Sequence, residues 1–240
     1  MSDAVGCEGQ RDMRTSSVDL VWIPLGAGDN TGLVRRSGRM FEALAARHER
    51  RRPVDIYHSA LQVQLDAVPY AVEMTPAWGL PQDVDRGVMG TGPVAFPELG
   101  RSPLFRYEVH AWRNGSIPDI AEAVGTPQRL SCDRGRAQLV LDLLSAFPTR
   151  TWGRDEQATG DMWNSNSLIS WVLVRSGHDI TEIRSPENGR APGWTAGLTV
   201  ARREPRGRCT GLGEGHQTST VAVSPSAQED APALPVRGAP

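Results

Sequence analysis

The chain contains no lysine: all twenty-six of its cationic side chains are arginine. That absence, beside abundant Ala, Gly, Pro and Arg, reads as codon bias toward GC-rich triplets. Clusters such as Arg50-Arg51-Arg52 and Arg202-Arg203 therefore carry little weight as binding patches. An excess of either charge is also missing. The formal net charge is −2, so composition supplies no field for nucleic acid or an anionic membrane, and neither partner is predicted. Cysteine is scarce. Cys7, Cys132 and Cys209 are odd in number, far apart and without a CxxC pair, which supports neither a disulfide framework nor a zinc site and leaves a reducing cytoplasm as the expected setting. Long apolar runs are absent too. The first seventeen residues mix charges of both signs without a secretory core, and no later run reaches the ~18 apolar residues of a membrane span.

Signatures for cofactors are equally thin. Gly26, Gly28 and Gly32 miss the dinucleotide spacing and no GK[ST] follows, so the segment reads as a plain turn. No pair among His110, His178 and His216 has helical metal-ligand spacing, and these read as surface residues. The acidic run Asp155-Glu156 with Asp161 has no partner cluster and reads as a solvated loop. No metal and no cofactor is predicted.

What is present suits one soluble domain with tails: 240 residues, 39% apolar and 22% charged. Residues 1–17 are expected as a flexible leader, 18–202 as a single α+β domain, and 203–240, rich in Gly, Pro, Ser and Thr, as a disordered tail. Val18–Leu25 reads as a strand. Ser37 is expected to cap a helix whose Met40, Phe41, Leu44 and Ala45 recur at helical spacing and pack on something. Val54–Met74 reads as a β-hairpin turning at Asp66-Ala67, with Pro69 making the second strand an edge. In the first strand Tyr57, Ser59, Leu61, Val63 and Leu65 fall on one face, and His58 points away from that apolar row. Glu73 lies opposite Val72 and Met74 and reads as a solvated strand residue. A short strand near Val88–Val94, a strand over Leu104–Trp112, a short helix over Ile117–Val124 and a clear helix over Arg134–Phe147 follow. Gly193–Arg202 reads as a last strand.

Between these stands Gly160–Gly177, where Asn164-Ser165-Asn166-Ser167 leads into an apolar run closed by Gly177. This is a helix with capping side chains crowded at its positive end, a place for a nucleophile or for a cap alone. Trp152, Trp163, Trp171 and Trp194 concentrate nearby; core packing is the usual fate of such residues, and a groove for a sugar, peptide or acyl chain is the other reading.

The order of a histidine strand, a second strand and a polar helix start resembles the circularly permuted papain-like families: permuted NlpC-type peptidases, lecithin:retinol acyltransferase-like proteins and PPPDE peptidases. In those, a His in a context like YHSALQVQL and a strand like VPYAVEM precede an N-C-x-x-F motif that opens a helix. Here Asn164 matches the Asn, Ser165 stands where the Cys would be, and Leu168 replaces the aromatic. The segment Val54–Gly177 is also similar to a family of uncharacterised actinobacterial proteins. The resemblance implies an antiparallel sheet with helices packed on one side and a cleft between the Asn164 helix start and the His58 strand. Its hydrolase-like version uses Ser165 as nucleophile, His58 as base and Glu73 (or Glu108) as orienting group, with Asn164 or Asn166 donating to an oxyanion or capping, on an amide or ester. Its other version is a non-catalytic binding or interaction module whose groove, lined by Trp163 and Tyr57, takes a peptide, glycan or acyl ligand. The second is favoured because a hydroxyl lacks the easy ionisation of a thiol, whose free pKa is about 8.5. The residues assign no oligomeric state.

Overall fold

The period-2 apolar rows of the chain assemble one mixed-length sheet, and the period-3.6 segments cover it. The computed structural model describes residues 15–27, 32–78 and 85–204, with Leu33 and Val34 described by backbone alone. The expected leader and tail fall almost wholly outside the described residues, as do Cys7, Cys209 and His216. In chain order the elements are β1 (Ser17–Pro24), α1 (Leu33–His48), β2 (Asp55–Leu65), β3 (Val68–Pro76), β4 (Val88–Pro93), β5 (Arg106–Arg113), β6 (Gln128–Ser131), α2 (Arg134–Leu143), α3 (Ser165–Arg175), β7 (Gly189–Arg190) and α4 (Trp194–Arg203). The sheet runs β4-β5-β3-β2-β1-β6 with every neighbour antiparallel, and β7 adds a short parallel pairing to the start of β2. The fold is α+β.

The β2–β3 hairpin turns at Asp66-Ala67, both with positive φ (50° and 64°), the geometry whose twist suits a two-residue hairpin. Strand β3 is interior, paired to β2 and to β5, which corrects the edge expected from Pro69. Proline is tolerated because it stands second in the strand, before the ladder to β5 begins at Tyr70 and Arg113.

Alternation gives the sheet two unlike faces. On the near face Leu20, Trp22, Tyr57, Leu61, Val63, Val72, Met74, Tyr107 and Val109 form one core with residues of α2, α3 and α4. On the far face Val21, Ile23, Ala60, Ala71 and Ile117 form a smaller cluster, with Trp112, Ile120 and Ala123 against it. The segment expected as a helix at 117–124 contributes only a 3₁₀ turn, Ile120–Glu122.

Two other expectations are corrected. Residues 194–203 form helix α4, not a strand: its buried Ala196, Gly197, Val200 and Ala201 recur at three to four residues, and small residues let it lie close on α3. Ser37 does not cap α1, which begins at Leu33 after a left-handed Gly32. The inward face of α1 is Gly38, Glu42 and Ala46, while Met40 and Leu44 are 65% and 63% exposed. The helical period was legible there, but its phase is set by an ionic contact: the buried Glu42 carboxylate accepts from Arg51 and from the Val54 backbone N–H (3.0 Å).

Candidate functional site

The polar cluster at the start of α3 is a structural knot. Asn164 is the N-cap, its Oδ1 accepting from the Asn166 N–H (2.9 Å), while Ser167 Oγ accepts from the Asn164 N–H (3.0 Å) and completes a capping box. The amide groups of Asn164 and Asn166 both donate to Pro192 O (2.8 Å each), Ser167 Oγ donates to Gly193 O (2.8 Å) and Ser170 Oγ to Trp194 O (2.8 Å). These four contacts tie the start of α3 to the start of α4. Asn166 also reaches the sheet, donating to Tyr57 O (3.0 Å) and accepting from Ser59 Oγ (2.8 Å). Only Ser165, 5% exposed, differs: among the described residues no hydrogen bond involves its hydroxyl.

The acidic loop serves the same knot. Asp161 accepts from the Gly193 N–H (2.8 Å) and the Thr195 N–H (3.2 Å), capping α4 from a distance because Gly193 has no side chain with which to do so. Gly193 sits at φ 90°, and a Cβ there would overlap the Asn164 amide. Asp155 accepts from the N–H groups of Thr159 and Gly160 (2.8 Å each), and Glu156 from Thr151. Asp161→Ala is expected to cost about 1–2 kcal/mol, as loss of a helix cap does, measured by urea denaturation; an unchanged midpoint would exclude this capping role.

The structure does not bring Ser165 to His58. Tyr57 and Ser59 face α3, so the intervening His58 projects from the opposite side of β2, where its register partner is Ile23 of the far-face cluster. The sheet lies between the hydroxyl and the imidazole, and among the described residues no hydrogen bond joins them. His58 is half-buried, and desolvation pushes its pKa down to about 4, leaving it neutral near pH 7. Glu73 shares the far face with His58, beside Ala71, and so is likewise separated from Ser165.

Glu73 belongs instead to a buried cluster that sequence reasoning missed. It is 5% exposed, not solvated, and stands directly across the β3–β5 ladder from His110, which is fully buried rather than on the surface. His110 Nε2 lies 3.0 Å from Glu108 Oε2, and Arg86 donates to the same oxygen at 3.0 Å. Burial opposes ionisation of Glu108, but the hydrogen bonds from His110 and Arg86 outweigh it and hold its carboxyl below the ordinary range. Burial also lowers the pKa of His110, against the pull of Glu108. The neutral ring then carries its proton on Nε2, toward Glu108, and Nδ1 is left as an acceptor with no hydrogen-bond partner. No hydrogen bond among the described residues reaches Glu73, and burial, with Asp119 adding repulsion, lifts its pKa to about 7. The signal was available in Arg106–Trp112: both faces of β5 alternate with residues able to pair, and an interior strand buries both.

The expected groove residues divide. Trp163, 1% exposed, stacks on Phe147 (ring centroids 5.0 Å) inside the near-face core. Trp171 joins them edge-on to Phe147 at 5.5 Å, and Trp194 packs on Trp22 at 5.2 Å. Tyr57 does line a cavity. This space of about 760 Å³ lies between α1 and the adjoining ends of β1 and β2, within the usual size range of small-molecule pockets. Among the described residues no group of three or more His, Cys, Asp or Glu side chains could hold a metal ion, and no helix is long and apolar enough to cross a membrane.

No family model, curated protein or solved structure matches the chain.

Proposed function

We propose that the chain is a non-catalytic binding module on an α+β scaffold, with its ligand, a peptide, glycan or acyl group, in the cavity beside Tyr57. One observation carries the reading: where the helix start meets the strand, the contact is a hydroxyl on an amide, Ser59 Oγ to Asn166 Oδ1 at 2.8 Å. A papain-like enzyme needs a nucleophile and a base in hydrogen-bond reach at that junction. Neither Ser59 nor Asn166 is a base, and among the described residues no hydrogen bond joins Ser165 to an imidazole; His178, buried rather than on the surface, lies past the other end of α3 with Nδ1 2.8 Å from Ser176 Oγ. A helix start laid against the first hairpin strand supports a papain-like ancestry, and the side chains at the junction support loss of its chemistry.

The reading predicts that a fluorophosphonate probe labels wild type and Ser165→Ala alike, at background, and that iodoacetamide alkylates Ser165→Cys at a rate that His58→Ala leaves unchanged. A stoichiometric adduct on wild type that both Ser165→Ala and His58→Ala abolish would overturn it and restore the hydrolase.

A further inference from the structure

The cavity beside Tyr57 has walls of uneven charge. Arg35 and Arg39 stand one helical turn apart on α1, Arg52 approaches from the link before β2, and Pro24, Leu25 and Ile56 supply an apolar floor next to Tyr57. The acidic lining residues are Glu42 and Asp55. Glu42 is already engaged: it is 2% exposed, receives both Arg51 guanidinium donors and the Val54 N–H, and has Arg190 at 3.5 Å. Arg51 and Arg190, which also pair with Glu49, are not lining residues and offset the charge of Glu42, so Asp55 is the other acidic residue of a lining that holds three arginines. Arg35 makes one long hydrogen bond, to Gly26 O at 3.4 Å. Among the described residues Arg39 and Arg52 form no ion pair and no side-chain hydrogen bond.

Helix α1 supplies an independent observation. Its N-cap, Gly32, makes no side-chain capping bond, its first turn holds no acidic residue, and Arg35 and Arg36 follow at once. Cations at the positive end of a helix are unfavourable, and first-turn N–H groups call for an acceptor. Of these first-turn residues Arg35 lines the cavity, and an anion bound there would offset the unfavourable placement of its guanidinium.

We infer that this cavity binds an organic anion, a carboxylate or phosphate monoester on an apolar or flat body, with Arg39 and Arg52 clasping the charged group and Tyr57, Leu25 and Ile56 packing the body. Guanidinium groups suit both anions because their paired N–H donors match two oxygens at once. The volume is large for an inorganic ion, and the apolar floor gives the remainder of the ligand its place. This rests on the binding reading above and gives its ligand an anionic group, and its test does not touch Ser165 or His58.

The experiment titrates the full chain with phenyl phosphate, benzoate, inorganic phosphate and neutral benzyl alcohol by calorimetry at matched ionic strength. Saturable binding of phenyl phosphate or benzoate is expected, at least about tenfold tighter than benzyl alcohol; which of the two wins separates phosphate from carboxylate. Arg39→Gln/Arg52→Gln, both exposed and so compatible with an unchanged melting temperature, is expected to weaken the anion about tenfold or more, in line with loss of charge-assisted hydrogen bonds. Benzyl alcohol binding as well as the anions, or a double variant that binds them like wild type, overturns the inference. Inorganic phosphate binding as tightly as phenyl phosphate overturns the role of the apolar floor, and no binding by any probe overturns the site. A failure here leaves the labelling result on Ser165 intact, and a labelled Ser165 leaves the anion titration intact.

Discussion

Glu73→Gln is expected to stabilise the protein at pH 8 by about 3 kcal/mol and to change little near pH 4.5. The carboxyl titrates near its ordinary 4.5 in the unfolded chain and at about 7 when folded, because burial disfavours its charge and Asp119 repels it. Between those two values the folded state binds the extra proton, so stability falls as pH rises and the full penalty is present above about pH 7. The gap between 4.5 and about 7 corresponds to about 3 kcal/mol. Gln has the shape of the neutral acid and carries no such penalty. Asp119, His110 across the ladder and the Glu108–Arg86 pair bonded to it are all retained in the variant. Urea denaturation at several pH values checks this; a variant less stable than wild type at pH 8 would mean that Glu73 is ionised and paired in the folded protein, and a difference independent of pH would mean that its carboxyl titrates alike folded and unfolded.

Asn166→Ala should be the most damaging single change at the α3 start, at about 3 kcal/mol or more, whereas Ser165→Ala should stay within about 0.5 kcal/mol. The alanine removes two donated bonds and one accepted bond, stranding the buried Ser59 hydroxyl and the Tyr57 carbonyl and leaving Pro192 O with Asn164 alone. Each buried polar group left unsatisfied costs about 1–3 kcal/mol. Against the 5–15 kcal/mol that holds a typical domain together, that is a large share. Chemical denaturation of both variants ranks them, and a Ser59→Ala/Asn166→Ala double-mutant cycle isolates the bond between α3 and β2. If Ser165→Ala proves the costlier change, the hydroxyl has a partner and the knot described above is incomplete.

The NSNS cluster announces itself in the sequence because Asn and Ser before an apolar run are the residues of a helix start. The same side chains serve a cap and an oxyanion site, and composition does not separate those uses. Strand alternation did contain part of the answer: His58 points away from the apolar row of β2, and helices settle on apolar rows. A helix start packed on Tyr57 and Ser59 cannot also face His58. Trp163 illustrates the converse, since a tryptophan beside a polar helix start looks the same in sequence whether it walls a groove or stacks on Phe147 in the core.

By itself the sequence determined the local structure: the Asp66-Ala67 hairpin, the existence of strands β1 and β5 and of helix α2, each to within a few residues at its ends, and the capped start of α3. Each follows from interactions within a few residues, namely positive-φ turns, period-2 rows and side-chain caps. It misread α4, whose small residues carry little hydrophobic pattern until α3 lies against them, and the phase of α1, which a distant Arg51 sets through Glu42. Only the tertiary structure decided which face of the sheet the helices cover, and with it the separation of Ser165 from His58, the burial of Glu73 and His110 against each other, and the gathering of Arg35, Arg39 and Arg52 around one cavity. Apart from the arginines, those juxtapositions join residues tens of positions apart, and burial, which sets their charge states and partners, is a property of the packed layers and not of any one segment.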